Sequence, residues 1–115
     1  QKFNAVYIAM VALRNENVAE ALLKDRNEKT SNLMDFVNKS PDKFNKLIAD
    51  KNIVTKALIE TLIVRGELIR AEYNQQISSA DGNFIGSNMN EAVAYFNNPN
   101  NKDIRTAYEN KLKMF

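Results

Sequence analysis

Apolar residues recur at spacings of three and four through the first third of the chain. Phe3, Val6, Tyr7, Met10 and Leu13, then Val18, Ala21 and Leu22, fall on one helical face, the period an amphipathic helix requires. No Pro or Gly interrupts the stretch from Phe3 to Val37. Arg14-Asn15-Glu16-Asn17 breaks the apolar rhythm, so the segment reads as one long helix with a polar turn or as two helices. Lys24-Asp25-Arg26-Asn27-Glu28-Lys29 carries both signs of charge and reads as an exposed helix surface or a link between helices. Thr30 or Ser31 is placed to cap a short helix carrying Leu33, Met34, Phe36 and Val37.

The next boundary is sharper. Ser40-Pro41-Asp42-Lys43 sets an N-cap serine before a proline at the first helical position, where the missing N–H costs no hydrogen bond. Phe44, Leu47 and Ile48 then form the buried stripe of a helix ending near Lys51-Asn52. A longer helix is predicted from Ile53 or Val54 to Arg65, with Val54, Ala57, Leu58, Leu62 and Ile63 on its buried face and Ile59 beside them. Gly66 ends it, because glycine takes a positive φ without steric cost.

Beyond Gly66 the period changes. Leu68, Arg70, Glu72 and Asn74 alternate against Ile69, Ala71 and Tyr73, a strand-like pattern. Asp81-Gly82 is a turn signal, and Phe84-Ile85 supplies a returning strand. The preferred reading is a small β-hairpin over about residues 67–85; the alternative continues the preceding helix past Gly66. Ser87 or Asn88 caps a following helix, with Glu91 completing a capping box and Met89, Ala92, Val93, Tyr95 and Phe96 on its buried face. Asn97-Asn98-Pro99-Asn100-Asn101 breaks the chain, and a last helix runs from about Lys102 to Met114 with Ile104, Ala107, Tyr108 and Leu112 on one face. The predicted fold class is mainly α, five or six short helices with one small β-hairpin and a winged-helix-like centre. It forms a single domain over 1–115, with an N-terminal helical segment (1–38) leading into the helix-turn-helix, hairpin and two C-terminal helices of 40–115.

Composition adds mostly exclusions. A chain of 115 residues with 44% hydrophobic content has the length of one domain and enough apolar surface for a real core. There is no Cys, His or Trp, which removes thiolate chemistry, the usual zinc ligands and the commonest general acid/base. Sixteen Lys and Arg stand against 14 Asp and Glu, a net charge of +2, so no strong field draws the chain to polyanions. Asp81-Gly82-Asn83 lacks the further acidic ligands of a calcium loop, and Gly82 and Gly86 lack the lysine of a phosphate loop. Glu67 and Glu72 read as surface charges rather than an acid/base pair. No enzyme activity, cofactor, metal or small-molecule substrate is expected.

The chain begins at Gln1, as a processed or trimmed piece of a longer protein would. Lys2 followed by the apolar run Ala5–Leu13 has the outline of a short signal-peptide core. It is too short to cross a membrane, which takes about 20 residues, and a buried helix segment is the reading adopted. The 17 Asn and 11 Lys against 5 Arg point to A-rich codons and an AT-rich genome, for which AT-rich bacteria and their phages are compatible sources.

Two functional classes stay open. The order helix 41–51, turn at Asn52, helix 54–65, hairpin is that of a winged helix, in which Lys51, Lys56, Arg65 and Arg70 would contact DNA. The cations are sparse, however: Glu60 sits between Lys56 and Arg65, and the wing tip Asn74-Gln75-Gln76 has none, which predicts weak counterion release. The other class is a protein-interaction module. Val6, Tyr7, Ile8, Met10 and Val11 are apolar nearly all round, fitting either a docking helix or burial in the domain's own core, and the second is preferred.

A resemblance bears on the choice. Asn38-Lys39-Ser40-Pro41-Asp42-Lys43-Phe44, Asp50-Lys51-Asn52 and Thr55-Lys56-Ala57-Leu58-Ile59 are followed by Gly66, Asp81-Gly82, Ile85-Gly86, Glu91-Ala92-Val93-Ala94-Tyr95-Phe96 and Asn97–Asn101. In this order residues 38–112 resemble the C-terminal domain of uncharacterised tailed-bacteriophage proteins. The resemblance implies a virion or genome-associated protein, located in the virion or the host cytoplasm, and it carries no functional residue across. The expected function is a non-enzymatic interaction and assembly module whose partners are other protein subunits, with a winged-helix DNA-binding protein as the alternative.

Overall fold

A computed structural model of the chain describes residues 2–14 and 16–113. Among them it is mainly helical, 68% helix in seven α-helices, with a small three-stranded antiparallel sheet. The chain divides into two compact units, Gln1–Ala57 and Leu58–Phe115.

The first unit holds α1 (Lys2–Leu13), α2 (Val18–Leu22), α3 (Arg26–Lys39), α4 (Pro41–Ala49) and the start of α5 (Ile53–Val64). Ala5, Val6, Tyr7, Ile8, Met10 and Val11 of α1 are all buried, as a helix apolar on every side must be. α2, α3 and α4 all pack on α1. The polar break after Leu13 separates α1 from α2; Asn15 lies outside the described residues. Asn17 caps α2 by accepting from the Glu20 N–H at 3.0 Å.

α3 departs from the sequence expectation. Its cap is Asp25, whose carboxylate accepts the Glu28 N–H at 2.8 Å. Thr30 and Ser31 therefore lie inside the helix, and the Thr30 hydroxyl donates back to the Arg26 carbonyl. Aspartate is as good an N-cap as serine, and the charged run after it propagates the helix. Of the expected apolar set only Phe36 is buried, while Met34 points to solvent.

Ser40 and Pro41 open α4 as predicted, but the Ser40 side chain makes no capping hydrogen bond. Phe44 and Leu47 pack on the core. Ile48, expected beside them, is exposed.

The second unit begins with the rest of α5 and its stop. Gly66 has φ +79°. Its N–H reaches the Ile63 carbonyl, and the Glu67 N–H reaches that of Leu62, the paired bonds of a Schellman ending. The region expected as a hairpin is a three-stranded meander: β1 (Leu68–Arg70), β2 (Ile77–Ser79) and β3 (Phe84–Gly86), in the order β1-β2-β3. Strand β2 was not anticipated. The first turn runs over Glu72-Tyr73-Asn74 and is closed by the Gln75 N–H on the Ala71 carbonyl, with Gln75 at φ +62° and the Asn74 side chain accepting the Gln76 N–H. Asp81-Gly82 turns β2 into β3, with Gly82 at φ +96°.

Leu58, Ile59, Leu62, Leu68, Ile77, Ile85, Ala92, Val93 and Phe96 form this unit's core. Asn88, rather than Ser87, caps α6 (Met89–Asn97), accepting from the Glu91 N–H at 2.9 Å while the Glu91 carboxylate accepts from the Ser87 N–H. A 3-10 turn, Pro99–Asn101, leads into α7 (Lys102–Lys113). The predicted end of that helix at Met114 lies outside the described residues. Tyr108 and Leu112 pack on the core, and Phe96 meets Tyr95 and Tyr108 edge to face. Ile104 and Ala107 are exposed, because only one narrow face of α7 reaches the core.

Candidate interaction surfaces

Of the four cations read as DNA contacts, two belong to each unit. Lys51 is exposed in the turn between α4 and α5. Lys56, one turn into α5, donates to the Asp50 carboxylate at 2.6 Å. Asp50 also accepts the Asn52 N–H at 2.8 Å. Its pKa is held below the usual carboxylate value, first by the Lys56 hydrogen bond and then by the Asn52 N–H, with partial burial opposing them.

In the second unit Arg65 is exposed at the C-terminal end of α5. Arg70, at the end of β1, donates to Glu60 at 2.5 Å, and the Glu60 side chain is only 13% exposed. A phosphate reaching Lys56 or Arg70 must therefore displace a carboxylate already in place, which removes much of the counterion-release gain those cations would supply. Glu67 is likewise taken up by an ion pair, with Lys111 at 2.9 Å.

The Asp81 loop is closed on itself. The Ser79 hydroxyl donates to the Asp81 carboxylate and accepts the Asn83 N–H. Among the described residues no three carboxylates converge as a metal-binding group, and no helix is long and apolar enough to cross a membrane.

Sequence reasoning missed two surfaces. The first is the outer face of the sheet. Ile69 stands opposite Ser78, and Ser78 opposite Phe84, so Ile69 and Phe84 flank one serine on the same face. They are 50% and 55% exposed, and Tyr73 in the adjoining turn is 90% exposed. Leu68, Ile77 and Ile85 fill the opposite, inner face. The signal was present in the apolar pair Leu68-Ile69, since neighbours in a strand point to opposite faces; it was hidden because β2 was not anticipated.

The second surface lies in the first unit. Arg14, Asn32, Asp35, Lys39, Ser40 and Lys43 surround an open hollow of about 250 Å³ above Phe36. Its sequence trace is Lys39 and Lys43 on either side of Ser40-Pro41. Arg14 comes from the end of α1, a juxtaposition that local pattern does not reveal.

No protein-family model, curated protein or solved structure matches the chain.

Proposed function

We propose that this protein is a non-enzymatic interaction and assembly module. The observation that carries the reading is the Ile69–Phe84 face. A sheet of three short strands that buries its inner face and leaves two large apolar side chains in water on the other has a surface suited to a second subunit. The occupant that fits is another copy of the chain, because a two-fold axis lays the same apolar row against itself. Three short strands offer far less than the ~800 Å² per partner of a stable standard interface. The contact is therefore weak alone and gains strength when many copies are held together. That such an assembly belongs to a virion is part of the same proposal and rests on the sequence pattern of residues 38–112 alone.

Sedimentation equilibrium over a concentration series tests this. The wild type is expected to show reversible association at high concentration, and Ile69→Lys with Phe84→Lys to stay monomeric with unchanged far-ultraviolet circular dichroism. A wild type that is monomeric throughout rules out self-assembly through this face.

The DNA-binding alternative keeps its element order, α4, turn, α5, then strands. The ion pairs of Lys56 and Arg70 weigh against it. Fluorescence anisotropy with a labelled duplex across a salt series, on wild type and on Lys56→Ala with Arg65→Ala, decides it. Salt-dependent micromolar binding that the double variant loses would revive it.

A further inference from the structure

The hollow above Phe36 brings together three cations from separate places in the chain. Arg14 follows α1, Lys39 is the last residue of α3, and Lys43 is in the first turn of α4. Asn32 and Ser40 add polar side chains, and the Ser40 hydroxyl is not used in capping. One carboxylate, Asp35, lines the same wall, and Glu16 holds Arg14 from outside it at 2.9 Å. Among the described residues Lys39 and Lys43 have no carboxylate within ion-pair distance. This contrasts with Lys56 and Arg70, whose charges are already matched.

We propose that this hollow binds a phosphate group. Lys39 and Lys43, which no carboxylate among the described residues matches, line one concavity with Arg14, whose guanidinium is shared with Glu16. A phosphate dianion suits that set, the lysines serving as point charges and the guanidinium as a planar donor. A cationic ligand would face a wall that stays net positive, three cations against Asp35 and Glu16. The hollow is also larger than one phosphate needs, with Phe36 among its lining residues, which leaves room for the organic part of a phosphate ester. Asp35 weakens the site by repelling the anion, so the affinity is modest as the protein stands. This site is independent of the sheet face, which lies in the other unit.

The test is a titration of the ¹⁵N-labelled full chain, followed by amide chemical shifts at constant ionic strength, with phenyl phosphate, with a short DNA duplex and with sodium chloride as control. Phenyl phosphate is expected to shift the amides of residues 32–43 saturably. Lys39→Ala with Lys43→Ala should weaken it roughly tenfold or more, about 1.4 kcal/mol per factor of ten. Asp35→Asn should tighten binding, an effect that simple disruption of the fold does not produce. Saturation by phenyl phosphate alone assigns the site to free phosphate esters; saturation by the duplex at lower concentration assigns it to the nucleic-acid backbone. Shifts no larger than those from chloride, shifts centred elsewhere, or an Asp35→Asn variant that binds no tighter overturn the proposal.

Discussion

The Lys56 ammonium reaches the Asp50 carboxylate at 2.6 Å, while the same carboxylate accepts the Asn52 N–H. One side chain at the end of α4 thus fixes the turn and the first turn of α5. This relationship explains why the turn is tight without glycine: Asp50 closes a local side-chain-to-backbone bond two residues on, which substitutes for a backbone turn.

The pair makes stability depend on acid. The folded-state pKa of Asp50 lies below its ordinary 3.8, so the unfolded chain takes up the proton more readily than the folded one. Its contribution is complete above that ordinary value and is lost as pH falls through the lowered one. Lys56→Gln is expected to cost about 0.5–1 kcal/mol at neutral pH, the scale of a half-exposed ion pair. Urea denaturation should show that cost shrinking as the pH drops below the usual carboxylate range. An equal cost at both ends of the range would mean that Lys56 acts through packing alone.

Tyr7 ties α1 to α2. Its hydroxyl donates to the Ala21 carbonyl at 3.1 Å from a fully buried position. Tyr7→Phe keeps the ring and removes the bond, with an expected loss of about 1 kcal/mol. Tyr7→Ala also empties a core site and should cost about 3–5 kcal/mol. Chemical denaturation of the two variants separates the hydrogen bond from the packing; a Tyr7→Phe protein as stable as wild type would show that the bond contributes nothing net.

Two glycines are constrained for different reasons. A Cβ on Gly86 would stand 2.7 Å from the Ala92 backbone nitrogen and 2.9 Å from Glu91 atoms, so Gly86→Ala forces β3 and α6 apart at about 1–3 kcal/mol. At Gly66 a Cβ meets nothing within 4 Å, but φ is +79°. Gly66→Ala is therefore expected to cost about 1–2 kcal/mol from backbone strain alone. Gly66→Asn should recover part of that, since Asn tolerates the left-handed region. Recovery by Asn at 86 as well as at 66, measured by thermal melting, would contradict the crowding at Gly86.

Most helices were legible because their ends carry local chemistry. Pro41, Gly66 and the Asn88–Glu91 cap each act within a turn of chain, so reading them needs no tertiary information. Thr30 and Ser31 misled for the same reason: they are good caps, but Asp25 upstream is also one, and the helix starts at the earlier. Strand β2 was hidden because its turn relies on Gln75 at positive φ, a residue that announces no turn. Ile48, Ile104 and Ala107 were assigned to cores by spacing alone, and which stripe of a helix meets a neighbour is decided by packing. The two surfaces stayed invisible for a related reason. Ile69 and Phe84 are brought level by strand pairing, and Arg14 joins Lys39 and Lys43 by helix packing, neither of which leaves a mark in adjacent residues.

α5 supplies Ile53 and Ala57 to one core and Leu58, Ile59 and Leu62 to the other. A genetic splice between residues 57 and 58 would cut this 12-residue helix into stubs well under the ~12–15 residues at which an isolated helix becomes even marginal. Each fragment would keep its own core residues but hold them on an unsupported helical stub. A splice at that point is therefore expected to weaken both cores through loss of helix rather than loss of residues.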